Sequence, residues 1–185
     1  MASSRSNLPR LPRRGLLALP LLAALPGCGW RPVYGSIGDK PSPALSEMAA
    51  VQVSPQGGRF GQLVQLALQD RFERGGAGHL KRYQLNLGLS LNSDATNILQ
   101  DSSATRTRMI ANANWWLISL EPAGGTLANG SARTVDAYNN FDQQYFASDA
   151  ENEAVQRRMT DALADQIALQ LAGWFSHRAA QASAS

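Results

Sequence analysis

Tyr83-Gln84-Leu85-Asn86-Leu87-Gly88-Leu89-Ser90-Leu91 alternates large apolar with small or polar residues without a miss. Successive side chains of a strand point to opposite faces, so this segment is a strand that buries its tyrosine and leucines and leaves the other face wet. A polar connection, 92–103, with weak strand content around Ile98 and Leu99, leads into a longer alternating run from Ala104 to Leu120. There the odd positions Met109, Ala111, Ala113, Trp115 and Leu117 form one face, and the even positions, from Arg106 and Arg108 to Trp116 and Ile118, form the other. A turn at 122–125 closes a hairpin, and a return strand is expected over about 127–138, with Arg133 and Val135 on one side and Ala132 and Thr134 on the other.

Helical periodicity flanks these strands. Upstream, Phe60, Val64, Leu68 and Phe72 recur at four-residue spacing, with Leu63, Leu66 and Ala67 widening the stripe and Gly75-Gly76 ending it. Before that helix, Val51 and Val53 with Gln52 between them mark a short strand within 48–54, stopped by Pro55 and the glycines after it. Downstream, Ser148 followed by Glu151 is a capping-box pattern for a long helix. Its apolar positions Val155, Met159, Leu163, Ile167 and Leu171 need a broad partner, which the leucine face of the sheet offers. The predicted class is α+β: a two-layer sandwich in which a mostly antiparallel four-stranded sheet carries two helices on one face, in the order β-α-β-β-β-α. A single domain is expected over 48–176, followed by a disordered tail over 177–185.

The N-terminus is a different kind of sequence. Arg5, Arg10, Arg13 and Arg14 precede the leucine- and alanine-rich run 15–25 with no acid among them, the pattern of a secretory signal over 1–27. The apolar run is too short to span a bilayer as a helix, which needs roughly 20 residues. Behind it, Leu25-Pro26-Gly27-Cys28 resembles a bacterial lipobox, with Pro26 where a small residue is usual. The resemblance makes Cys28 the lipidation site and first mature residue, carrying a diacylglyceryl thioether and an amide-linked acyl chain. Two or more chains hold a protein stably on a membrane. The competing readings are a buried thiol, or an ordinary signal cleaved near Gly27. The residue after Cys28 is glycine and not aspartate, which favours the outer membrane over retention at the inner one. Residues 28–47, rich in proline, serine and glycine, read as a lipidated N-terminus and tether.

The formal charge of +3 belongs largely to the signal. Four of the seventeen basic residues lie in it and all fourteen acids lie beyond it, leaving thirteen against fourteen, so nucleic-acid binding has no electrostatic support. One cysteine permits no intramolecular disulfide. His79 and His177, far apart and without cysteine nearby, form no metal site and no nucleophile–base pair. The glycine-rich stretch 75–78 follows a helix instead of opening one, unlike a phosphate-binding loop. Asp149, Glu151 and Glu153 are expected in a first helical turn, where negative charge is favourable. Neither an enzyme nor a cofactor other than the covalent lipid is expected.

The lipobox with Gly29-Trp30-Arg31-Pro32-Val33-Tyr34-Gly35 behind it, Val51-Gln52-Val53-Ser54-Pro55 leading into 58–63, the segment Thr105-Arg106-Thr107-Arg108-Met109 and the C-terminal helix together resemble the lipopolysaccharide-assembly lipoprotein family LptE, most of all its alphaproteobacterial members. The resemblance implies a lipid-anchored plug and assembly factor for the large outer-membrane β-barrel LptD, supporting lipopolysaccharide transport and its insertion into the outer leaflet. A protein lodged in a barrel lumen faces polar walls, and asparagine, glutamine and serine abound here. Arg106, Arg108 and Arg133 are candidate contacts to lipopolysaccharide phosphate, because a guanidinium pairs with phosphate bidentately; ordinary solvated or barrel-facing arginines are the competing reading. Of the two adjacent tryptophans one belongs in the core, and parity gives the other, Trp116, to the barrel interface. The alternative function is a free-standing lipid-binding or lipid-transfer lipoprotein of the cell envelope, which would require a deep apolar cavity.

Overall fold

Four strands, in spatial order as in chain order, form one sheet: β1 (Val51–Val53), β2 (Tyr83–Ile98), β3 (Ala104–Ser119) and β4 (Thr126–Asn139). The structure is a computed structural model, and it describes residues 43–74, 76, 79–98, 104–122, 124–140 and 145–184. β2, β3 and β4 are antiparallel, while β1 runs parallel to β2, with Val51 opposite Tyr83 and Val53 opposite Leu85. Helices α1 (Pro43–Ala49), α2 (Gly58–Glu73) and α3 (Tyr145–Ala184) make the second layer. The expected α+β sandwich is therefore the observed class, with a mixed sheet and, among the described residues, one helix more than the sequence suggested.

The odd-position face of β3 is the buried one: Met109, Ala111, Ala113, Trp115 and Leu117 join Leu85, Val64, Leu68, Phe72, Met159, Leu163, Ile167 and Leu171 in one core. Small residues on both layers, Ala132 on β4 and Ala164, Ala168 and Ala172 on α3, let helix and sheet approach closely. α3 does not cover the β2 leucines as the sequence reading expected. It lies mainly along β4 and against α2, so Leu85 is fully buried but Leu87, Leu89 and Leu91 are only half-buried.

Five local expectations are corrected. Part of the segment read as tether is α1, whose Ala44, Met48 and Ala49 are buried and whose Glu47 accepts hydrogen bonds from Arg82 (2.7 Å) and the Tyr83 hydroxyl (2.8 Å). Lys81 Nζ reinforces this corner by donating to the carbonyls of Ala49 and Val51. In α2, Leu66 is 62% exposed and does not widen the apolar stripe. Its exit uses glycine as expected, and its entry uses one too: Gly76 (φ 116°) and Gly58 (φ 73°) take positive-φ conformations that side chains resist.

β2 continues to Ile98, through residues read as a connection. Beyond Leu91 the β2 residues 92–95 are exposed on both faces, so there is no alternation to detect; the ladder to β3 and the Asp94–Arg108 ion pair hold this part of the strand. Finally, α3 starts at Tyr145, which puts Ser148 inside the helix and not at its cap, and no acid falls in the first turn. Glu153 instead bridges Arg59 of α2 (3.0 Å) and Arg157 (3.3 Å). At the other end α3 runs on to Ala184, through the segment expected to be a disordered tail. Alanine and glutamine there have high helix propensity, and propagating a formed helix is easier than nucleating one.

Candidate binding surface

Among the described residues no helix covers the second face of the sheet. Because directly opposed residues share a face, the register lays it out in rows: Asn86–Trp116–Asn129, Gly88–Asn114–Ser131, Ser90–Asn112–Arg133, Asn92–Ile110–Val135, Asp94–Arg108–Ala137 and Thr96–Arg106–Asn139. It is a polar surface of asparagines, serines and threonines with tryptophan near one end and arginines at the other.

The register unites Arg106 and Arg108 and separates them from Arg133. The first two are two residues apart on β3, and with Thr96, Val135, Asp136 and Ala137 they line an open groove of about 360 Å³. Arg133 lies opposite Asn112, four positions from Arg108 along the strand, or roughly 13 Å at 3.3 Å per residue. Its backbone serves another purpose: the Arg133 N–H donates to Gln166 Oε1 and its carbonyl accepts from Gln166 Nε2 (both 3.3 Å), fastening the outer edge of β4 to α3.

Arg108 donates to Asp94 Oδ2 at 3.1 Å across an exposed row, and no described carboxylate pairs with the Arg106 side chain. Behind the groove, Asp136 accepts from Arg158 Nε of α3 at 2.8 Å and from the Ala137 N–H at 2.8 Å. Partial burial works to raise the Asp136 pKa, but these two hydrogen bonds and the charges of Arg158 and Arg106 outweigh it and hold the carboxyl below its ordinary value. The groove is thus a shallow, net-positive notch: two guanidiniums and a threonine hydroxyl beside an exposed valine. It can bind an anion that carries an apolar body, and it holds no acid–base pair. Val135, 51% exposed, is the lining residue that the sequence reading did not single out. Its signal was the parity it shares with Arg133 and, through the register, with Ile110.

Parity sorts the tryptophans as expected. Trp115 is 3% exposed, whereas Trp116 is 42% exposed on the open face, its ring resting against Gly88, where a Cβ would come within 3.5 Å of it. His79 and His177 are both exposed, and no group of three or more His, Cys, Asp or Glu close enough to hold a metal occurs among the described residues. Cys28 lies outside the described residues. No described helix is long and apolar enough to cross a membrane.

A sequence model of the family described as LptE, lipopolysaccharide-assembly, matches residues 48–171, about two thirds of the chain. The chain belongs to the LptE family. LptE proteins are lipopolysaccharide-assembly factors and not enzymes. Solved lipoproteins share the fold. One from Caulobacter crescentus CB15 superposes with a TM-score of 0.60 at 22% identity, over 73% of this chain and 96% of that one. The rare lipoprotein B of Shewanella oneidensis gives 0.50 at 15% identity, over 69% and 95%. Lipoprotein B of Nitrosomonas europaea gives 0.53 at 16% identity, over 68% and 83%. No curated protein sequence matches the chain.

Proposed function

We propose that this LptE-family chain is an outer-membrane lipoprotein, anchored through acyl chains on Cys28 after removal of residues 1–27, that partners an LptD-like β-barrel as plug and assembly factor. In that role it supports the passage of lipopolysaccharide to the outer leaflet. The observation that carries the reading is the open sheet face: polar apart from the Ile110–Val135 row, with Trp116 near one end and the Arg106–Arg108 notch at the other. A polar face suits a water-lined barrel lumen. A half-exposed tryptophan suits the apolar centre of an interface. Paired guanidiniums beside an exposed valine suit a phosphorylated lipid, whose phosphate they can grip bidentately while acyl chains lie over the valine.

The test is affinity isolation of the tagged chain from detergent-solubilised outer membranes, read by mass spectrometry for both lipid on Cys28 and co-purifying protein. A large barrel protein in near-equal amount is the expected result. A lipidated, folded chain that brings no barrel would overturn the plug reading and make a search for bound lipid the next step.

A further inference from the structure

The two outer edges of the sheet are treated differently. On β4 the outward-pointing backbone groups of Arg133 and Ser131 are capped by side chains of α3: Gln166 pairs with both groups of Arg133, and Gln170 Nε2 donates to the Ser131 carbonyl at 3.0 Å. On β2 the outward groups belong to the odd residues, because Tyr83 N–H donates to the Ala50 carbonyl and the Leu85 carbonyl accepts from Ser54 N–H. β1 ends there. Its last residue, Val53, faces Leu85, and Pro55 then turns the chain away towards α2. Period two puts the backbone groups of Leu87, Leu89 and Leu91 on the same outer edge, where no described residue pairs with them. Their side chains are the leucines that the helical layer leaves half-buried.

A long strand edge with free amides and half-covered leucines is a template for another strand, a hazard that folded proteins usually block. Here the middle of one edge is capped, and among the described residues the other is open. From this we infer that the β2 edge from Leu87 to Ser93 is a docking strip for an extended segment of a partner polypeptide, which adds to the sheet as a strand in the lane that β1 begins. A segment of about seven residues, roughly 23 Å long, fills it. Such a segment needs apolar side chains at alternate positions to cover Leu87, Leu89 and Leu91, and polar ones between them beside Asn86, Ser90 and Asn92. The strip 86–92 carries no charge, so the segment there is neutral.

A second copy of this chain does not fit. The two-fold pairing that sets leucine against leucine is centred on Leu89, and it would drive residues 93–98 of the other copy into the space β1 occupies beside Tyr83–Leu85. A closed barrel wall offers no free strand edge either. The segment therefore comes from a loop or terminus, and the inference stands whether or not the partner is a barrel.

The test is residue-resolved amide hydrogen exchange on the chain isolated in detergent from its own cell envelope, compared with the chain produced alone in a foreign host. In the isolated free chain the inward amides of Gly88, Ser90 and Asn92 are protected and those of Leu87, Leu89 and Leu91 exchange freely. In the envelope sample the odd amides are expected to slow by about a hundredfold or more, with a second polypeptide present. Protection with a partner that is not a barrel supports the strip and overturns the plug reading. Odd amides that exchange equally fast in both samples, or protection with this chain alone in the sample, overturn the strip. A second arm uses Leu89→Pro, which removes an outward N–H along with the half-buried leucine side chain and is tolerated at a strand edge. Its circular-dichroism spectrum should be native, and it should lose the added protection at Leu87 and Leu91. Retention of that protection also overturns the proposal.

Discussion

Trp115 and Gln170, 55 residues apart in sequence, are joined by a 2.9 Å hydrogen bond from the indole N–H to the side-chain carbonyl, and Gln170 passes the link on to the Ser131 carbonyl. The ring lies over Gly130, where an added Cβ would come within 2.6 Å of it. Helix, core tryptophan and edge strand are thus locked at one point. Gly130→Ala is expected to cost about 1–3 kcal/mol by overpacking. Gln170→Ala strands a buried N–H at a cost of about 1–2 kcal/mol. Thermal melts should fall by roughly 2–4 °C for each kcal/mol lost. Unchanged melting of Gly130→Ala would mean that the indole does not sit on the glycine.

The Asp136–Arg158 pair ties the other end of α3 to β4. Since the carboxyl pKa is lower in the folded state than in the unfolded chain, the pair stabilises fully above the ordinary carboxylate range, and the contribution is lost as pH falls through the folded value. Asp136→Asn should therefore be less stable than the parent at pH 7. The gap should begin to close below about pH 4–5 and vanish in stronger acid. Urea titrations of both proteins across that range measure it; a gap that widens on acidification contradicts the assignment.

What the sequence revealed depended on burial. Tyr83–Leu91, the odd face of β3 and the α2 stripe each separate a dry side from a wet one, and each was legible to within a residue or two. The distal half of β2 wets both faces and left no such mark. α1 went unread because its seven residues are held by side chains elsewhere, Arg82 and Tyr83 on Glu47 and Lys81 on two carbonyls. The start of α3 was misplaced because Ser148 and Glu151 have capping-box spacing in a helix already three residues old. On the open face, parity sorted Trp115 from Trp116 and paired Arg106 with Arg108. The distance to Arg133 required the register between strands, which local sequence does not encode.

Thr160 is the one buried side chain among the described residues whose polar atom has no hydrogen-bond partner. It is 4% exposed on α3 between Met159 and the Leu163–Ala164 core positions. An unsatisfied hydroxyl in such a place costs about 1–3 kcal/mol. Valine has the same branched shape without the hydroxyl. Thr160→Val is expected to raise the melting temperature by a few degrees, whereas Thr160→Ser, which keeps the hydroxyl and loses a methyl, should lower it. A drop with valine would show that the hydroxyl has a partner after all.

Arg106 and Arg108 can be removed with little structural consequence, and that makes the notch testable. Both side chains stand on the open face, opposite the buried Met109 and Leu117 side of β3, and the one ion pair they make among the described residues, Arg108 with Asp94, is half-exposed on both sides. Exposed pairs contribute about 0–1 kcal/mol, so Arg106→Ala/Arg108→Ala should melt within a few degrees of the parent. Binding of lipopolysaccharide in detergent micelles should weaken at least tenfold, and the residual binding should depend less on salt, because charge-assisted contacts to phosphate are the part removed. Arg133→Ala, roughly 13 Å along the sheet, should leave binding near the parent level. A large loss of thermal stability in the double variant would sink the face assignment. Equal weakening by Arg133→Ala would mean that net charge, and not the notch, attracts the lipid.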